Sequence, residues 1–162
     1  MSTLSRRALL KADFNASQTV RLPWVRSEEE FLNTCSRCGD CLSACPEKII
    51  VKGDGGFPQI DFKRGECTFC IDCVKSCSED LFFSLNQEPW YLKASVGDQC
   101  LATKNVVCFV CKEQCENEAI SFSAKVGRVS FPLLSIEECS GCGACAKPCP
   151  TNAINFNYIN EF

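Results

Sequence analysis

The sequence predicts an α+β fold of two tandem modules, each made of short hairpins and short helices. Four observations predict it. Sixteen cysteines fall into four groups of four: Cys35, Cys38, Cys41 and Cys45; Cys67, Cys70, Cys73 and Cys77; Cys100, Cys108, Cys111 and Cys115; Cys139, Cys142, Cys145 and Cys149. Between the groups lie 21, 22 and 23 residues, the near-constant period of a repeat. Four and five residues after each last cysteine comes an apolar pair, Ile49-Ile50, Leu81-Phe82, Ala119-Ile120 and Ala153-Ile154. In the first and third intervals, β-prone runs flank a glycine-bearing turn, as a hairpin requires.

Groups one, two and four have the spacing C-x2-C-x2-C-x3-C, and one and four end in Pro46 and Pro150. This is the run of bacterial 2[4Fe–4S] ferredoxins, where a short loop sets three thiolates on one cube and the fourth reaches a second cube. Exchange of fourth ligands between neighbouring groups predicts four [4Fe–4S] clusters. Cys35, Cys38, Cys41 and Cys77 hold the first; Cys67, Cys70, Cys73 and Cys45 the second. The third takes Cys100, Cys108, Cys111 and Cys149, and the fourth Cys139, Cys142, Cys145 and Cys115. Nested pairing, group one with four and two with three, is the alternative that local hairpins do not exclude. Disulfides suit cysteines spaced three apart less well than one shared centre, and all-thiolate zinc sites use C-x2-C pairs separated by a longer loop. The chain has no histidine, which rules out His–Zn, Rieske and histidine-haem sites and imidazole acid–base chemistry.

Taken in order, residues 1–30 form an arm. Ser5-Arg6-Arg7-Ala8-Leu9-Leu10-Lys11 resembles the core of a twin-arginine export signal. Lys11, Asp13 and Arg21 interrupt the apolar region that should follow, and no small-residue cleavage site is evident, so a basic helix start capped by Ser5 is the competing reading. Leu22, Pro23, Trp24 and Val25 suit a strap across a module. Ser27 and Glu30 have capping-box spacing, with Phe31 and Leu32 facing inward. The first module spans 31–88, with a hairpin from Ile49 to Phe62 around Gly53, Gly55 and Gly56. Asn86-Gln87-Glu88-Pro89 reads as a boundary. The second module spans 89–162, with a hairpin from Ala119 to Pro132 around Gly127. Pro58 and Pro132 hold matching places and suggest exposed edges.

Each last cysteine is expected to start a helical turn whose apolar side closes over a cluster. Gly39, Gly141 and Gly143 would let the backbone approach cluster sulfurs, under apolar cover from Ile49, Ile60, Leu81, Ile120, Ile136 and Ile154. Groups two and three carry Ser78 and Glu116 where proline is expected, and seven residues separate Cys100 from Cys108. Glu116 should therefore lie nearest the fourth cluster and lower its potential, and Cys100 should be loosely enclosed, leaving the third cluster labile.

The formal charge is −3, from 17 basic and 20 acidic residues. Four cubes with thiolate ligands take it to about −11, which disfavours nucleic acid and anionic membrane as partners. No apolar run is long enough for a membrane span.

With four groups, the long first gap in the third, the twin-arginine-like start and no histidine, the sequence resembles the NapF family of ferredoxin-type accessory proteins of the periplasmic nitrate reductase system. The resemblance covers essentially the whole chain. It includes Ser5-Arg6-Arg7, Pro23-Trp24, Gly55-Gly56, Gly97-Asp98-Gln99-Cys100-Leu101-Ala102 and Cys139-Ser140-Gly141-Cys142-Gly143-Ala144-Cys145, pieces that generic four-cluster ferredoxins lack. It implies a cytoplasmic protein that binds the catalytic molybdoenzyme NapA transiently before export. The implied role is maturation, by supplying or reducing the iron–sulfur cluster of that subunit. Four one-electron centres also suit an electron-transfer subunit working with other electron carriers. Neither reading makes the chain an enzyme, because no residue set offers a nucleophile, base or substrate pocket.

Overall fold

The computed structural model describes residues 19–125 and 128–159; the twin-arginine-like segment 5–11 and the turn glycine Gly127 lie outside them. Chain entry is a strap. Leu22, Trp24 and Val25 are buried, because four apolar residues in a polar stretch have only the body of the protein to cover them. Backbone pairing fixes the strap: Trp24 N–H donates to Pro89 O at 2.6 Å, Arg26 N–H to Leu81 O at 3.1 Å, and Val25 bridges Phe82. Arg21 adds a forked pair with Glu28, at 2.8 and 2.6 Å, and its guanidinium lies 4.8 Å over the Phe31 ring. Helix α1 (Glu28–Thr34) comes next, its first turn capped by Glu30 N–H donating to Ser27 Oγ. Phe31 is 1% exposed but Leu32 is 41% exposed, so only one of the pair faces inward. Neighbours on a helix point about 100° apart, and this one packs a single stripe.

The first cysteine run leads into α2 (Asp40–Ala44) and then an antiparallel hairpin, β1 (Ile50–Lys52) with β2 (Pro58–Ile60). Ile50 faces Ile60 and Lys52 faces Pro58, across a short turn in which Gly55 and Gly56 take φ of 64° and 81°. The second run holds α3 (Asp72–Lys75). Beyond Pro89 comes β3 (Leu92–Val96), then the third run with α4 (Val110–Glu113). A second hairpin pairs β4 (Ile120–Lys125) with β5 (Arg128–Leu134), and β6 (Ile154–Tyr158) returns to pair antiparallel with β3. The main core joins both halves of the chain, with Phe31, Ile49, Ile60, Phe62, Leu81, Trp90 and Leu92 in one buried cluster.

The structure corrects two further expectations. The helical turns precede the last cysteines instead of starting at them: Cys45 caps the end of α2. Beyond Cys45, Cys115 and Cys149 the chain makes a single turn, in which Lys48, Glu118 and Asn152 donate back to the cysteine carbonyl. Each of these donors sits at positive φ, 54°, 50° and 50°, which stops helix propagation. Pro58 and Pro132, expected at exposed edges, are buried. Their strands belong to two-stranded sheets, so no ladder hydrogen bond is lost, and the rings turn inward to wall two cysteine-lined cavities.

Candidate metal centres

Each half of the chain carries two cysteine-lined cavities. Cys35, Cys38 and Cys41 line one with Cys77, under Pro58, Leu81 and Phe82. Cys67, Cys70 and Cys73 line the next with Cys45, under Ile49, Ile50 and Ile60. In the second half, Cys100, Cys108 and Cys111 share a cavity with Cys149, and Cys139, Cys142 and Cys145 share one with Cys115. We call them the Cys77, Cys45, Cys149 and Cys115 quartets after the cysteine each borrows from another run. Their spaces are near-equal, about 380, 370, 370 and 360 Å³ including the solvent at their mouths, as four copies of one binding unit should be. The apolar pair after each last cysteine lines the same cavity as that cysteine in all four cases.

Backbone conformation explains how a short run wraps such a space. The residues on either side of the second cysteine are left-handed in three runs. Arg37 (61°), Phe69 (54°) and Gly141 (76°) precede it, and Gly39 (92°), Ile71 (62°) and Gly143 (87°) come after it. Alternation of right- and left-handed residues makes the concave amide "nest" that binds anions, including iron–sulfur groups. Sequence reasoning found Gly39, Gly141 and Gly143 and missed Arg37, Phe69 and Ile71; alignment of the repeats on Gly141 and Gly143 was the signal. The third run lacks both conformations at Val107 and Phe109. Its longer gap folds instead as a short turn over Ala102–Lys104, with buried Ala102, Thr103 Oγ1 donating to Cys100 O at 2.7 Å, and Asn105 at φ 67°. Cysteine exposure does not single this run out as loosely enclosed: Cys38 and Cys70 are exposed, whereas Cys100 and Cys108 are half-buried.

Burial and crowding hold most of the shifted thiols protonated in the absence of metal. Burial pushes Cys67, Cys73 and Cys145 up to about 12, and Cys41 and Cys111 to about 11, with neighbouring cysteines adding to the shift. Clustered, desolvated thiols cannot ionise together without a compensating cation, and a metal supplies one. Cys149 differs. Burial works against its thiolate, but hydrogen bonds from Ala153, Thr151 and Ile154 outweigh it and hold the thiol below its ordinary range. Ala153 N–H donates to Cys149 Sγ at 3.3 Å. Among the described residues, no three cysteine, aspartate or glutamate side chains converge as ligands of one metal ion. All-thiolate sets spread around a cavity, three of the four wrapped by nest-forming backbone, fit a multi-iron cube, with iron at several corners, rather than a single zinc.

Glu116 does not line the Cys115 cavity; Asn117 does, because the turn after Cys115 carries Glu116 outward. The carboxylates at cavity walls are Glu79 in the Cys77 quartet and Glu47 and Glu66 in the Cys45 quartet. Ile136, expected as cover, is 53% exposed; Leu134 from β5 takes its place.

A 4Fe-4S dicluster domain model matches residues 34–81 and a 4Fe-4S binding domain model matches 134–155. The ferredoxin-type protein NapF of Escherichia coli (strain K12) is 40% identical over 157 residues, covering 96% of both chains. The chain belongs to the NapF family. NapF of Haemophilus influenzae is 39% identical over 172 residues, covering 99% of this chain and 98% of its own. A more distant relative is the methylamine utilization ferredoxin-type protein MauM of Methylorubrum extorquens, 30% identical over 82% of this chain and 69% of that protein. This NapF-family chain is thus an iron–sulfur protein with ferredoxin-type 4Fe-4S domains in both halves. No helix among the described residues is long and apolar enough to cross a membrane.

Proposed function

We propose that each quartet binds one [4Fe–4S] cube, four per chain, in two tandem dicluster modules spanning 31–88 and 89–162 behind an arm of residues 1–30. The observation that carries this reading is that, four times over, three cysteines from one run line one cavity with the last cysteine of another. A cube so held takes up or gives one electron. The chain's contribution is to exclude water with the apolar pairs, offer backbone amides, and set the charge nearby.

The role we propose is that of a cytoplasmic accessory protein of the nitrate reductase system. It binds the catalytic subunit NapA transiently, before export, and supplies or reduces the client's iron–sulfur cluster. The NapF name of the relatives and the ferredoxin-type domains in both halves support an iron–sulfur protein working within that system. Affinity capture of the iron-loaded chain from cells should recover NapA precursor, and NapA made without this chain should be deficient in iron or slow to be reduced. Full iron content and normal reduction of NapA in its absence contradict the role. The alternative, a permanent electron-transfer subunit, is favoured by the presence of four one-electron sites. It predicts co-purification with a stable partner enzyme whose turnover reduces the cubes.

A further inference from the structure

We infer that the four quartets stand in a single row, Cys77–Cys45–Cys115–Cys149, joined across the two halves by the backbone contact between Cys67 and Cys142. The inference rests on the proposed placement of one cube per quartet. Two strands show the order. Along β2 and just beyond it, alternate residues share one face: Pro58 walls the Cys77 cavity and Ile60 the Cys45 cavity. Phe62 then reaches the other half, where a Cβ on Gly143 of the Cys115 cavity would overlap its ring. Phe62 also packs on Phe156 at 4.5 Å between ring centres, and Phe156 lines the Cys115 cavity too.

Strand β3 continues the series. Leu92 lies at the junction, its carbonyl so close to Gly141 that no Cβ fits there. Ala94 walls the Cys115 cavity and Val96 the Cys149 cavity, each two residues, or about 6.7 Å, further along. The paired strand β6 repeats the order with Phe156 and Ile154. Within a half, neighbouring quartets share one short segment: Cys41 and Cys45 serve different cavities, and Cys45 N–H donates to Cys41 O at 3.2 Å.

The junction is the new element. Cys67 N–H donates to Cys142 O at 2.7 Å, linking a residue of the Cys45 quartet to one of the Cys115 quartet. Trp90 closes over it, with Nε1–H donating to Ser140 O at 2.9 Å and its ring edge-on to Phe62 and Phe69. The two halves therefore make one conduit rather than two separate pairs. With a cube bound by each quartet, the row would let one electron at a time pass between neighbouring sites, the cube giving it up being oxidised by one unit and the next reduced by one. Its ends are set by different quartets, Cys77 and Cys149, so two one-electron partners, one at each end, would bind without competing.

Paramagnetic resonance of dithionite-reduced protein tests the row. A double variant, Cys38→Ala with Cys108→Ala, removes one ligand from each outer quartet. It should retain about 8 irons per chain, two cubes, and give a spectrum split by spin–spin interaction. The converse variant, Cys70→Ala with Cys139→Ala, should retain about 8 irons and give two isolated signals. Isolated signals in the first, or coupled signals in the second, overturn the row. If either variant holds fewer irons, an iron-edge anomalous map of the reconstituted wild-type chain decides the same question. The Cys45 and Cys115 quartets are expected in the middle, and any other order overturns the inference. An iron count below about 16 in wild type is a separate failure, of the four-cube reading itself.

Discussion

Replacing Gly143 with alanine should destabilise the protein through two effects that a second glycine separates. At φ 87°, any Cβ is in the left-handed region, which costs about 1–2 kcal/mol. The added methyl would also sit well under 3.0 Å from the Phe62 ring, and Phe62 is held between Trp90 and Phe156. Overpacking of that kind costs about 1–3 kcal/mol, so the total is about 2–5 kcal/mol. Gly56 has nearly the same φ, 81°, but its nearest foreign atom would be 3.9 Å away. Gly56→Ala should therefore show the conformational cost alone, about 1–2 kcal/mol. Denaturant unfolding of the anaerobic holoprotein, followed by circular dichroism, measures both. Gly143→Ala should lose about 1–3 kcal/mol more than Gly56→Ala, and Phe62→Leu in the Gly143→Ala background should recover part of the difference through non-additivity. Equal losses in the two glycine variants would refute the tight contact between the halves.

Three further outcomes are expected. Cys45→Ala, a change in the first cysteine run, should cost the cube held by Cys67, Cys70 and Cys73, lowering iron by about four per chain while the Cys35, Cys38 and Cys41 signal persists; loss of the latter instead would contradict ligand exchange. Glu118→Gly should raise stability by about 1 kcal/mol in thermal unfolding, since an exposed residue at φ 50° is relieved of its Cβ strain; a destabilised variant contradicts the turn geometry. The pH dependence arises from the buried thiols. Folding raises Cys67, Cys73 and Cys145 from 9.0 to about 12, so their contribution to apoprotein stability is complete below pH 9 and is lost as pH rises through 12. Iron loading reverses the preference, so reconstitution at neutral pH in weak buffer should release about one proton per ligating thiol, read with an indicator dye; no acidification contradicts thiolate ligation.

Much of the architecture was legible because it is written in local spacing. Cysteines three apart, the hairpin around Gly55-Gly56, the apolar strap at Leu22–Val25 and the apolar pairs after each last cysteine are all set by neighbours in sequence. The β3–β6 ribbon was not legible. Leu92 faces Tyr158 across more than sixty residues, and such pairing leaves no short-range signature. Nor were Arg37, Phe69 and Ile71 as left-handed residues, since each is chemically a poor choice there and is imposed by the wrapped run. Pro58 and Pro132 were placed correctly on edges but not in depth. Proline at an edge explains the missing N–H and says nothing of which way the ring faces. Leu32 and Ile136 show the same limit: apolar character does not decide burial when a short element has room for one inward side chain.

The central claim is that four all-thiolate quartets each hold a [4Fe–4S] cube. Anaerobic purification or reconstitution, with iron and acid-labile sulfide measured on the same sample, tests it most directly. The account predicts about 16 irons and about 16 sulfides per chain; about 8 of each, or zinc in place of iron, would contradict it.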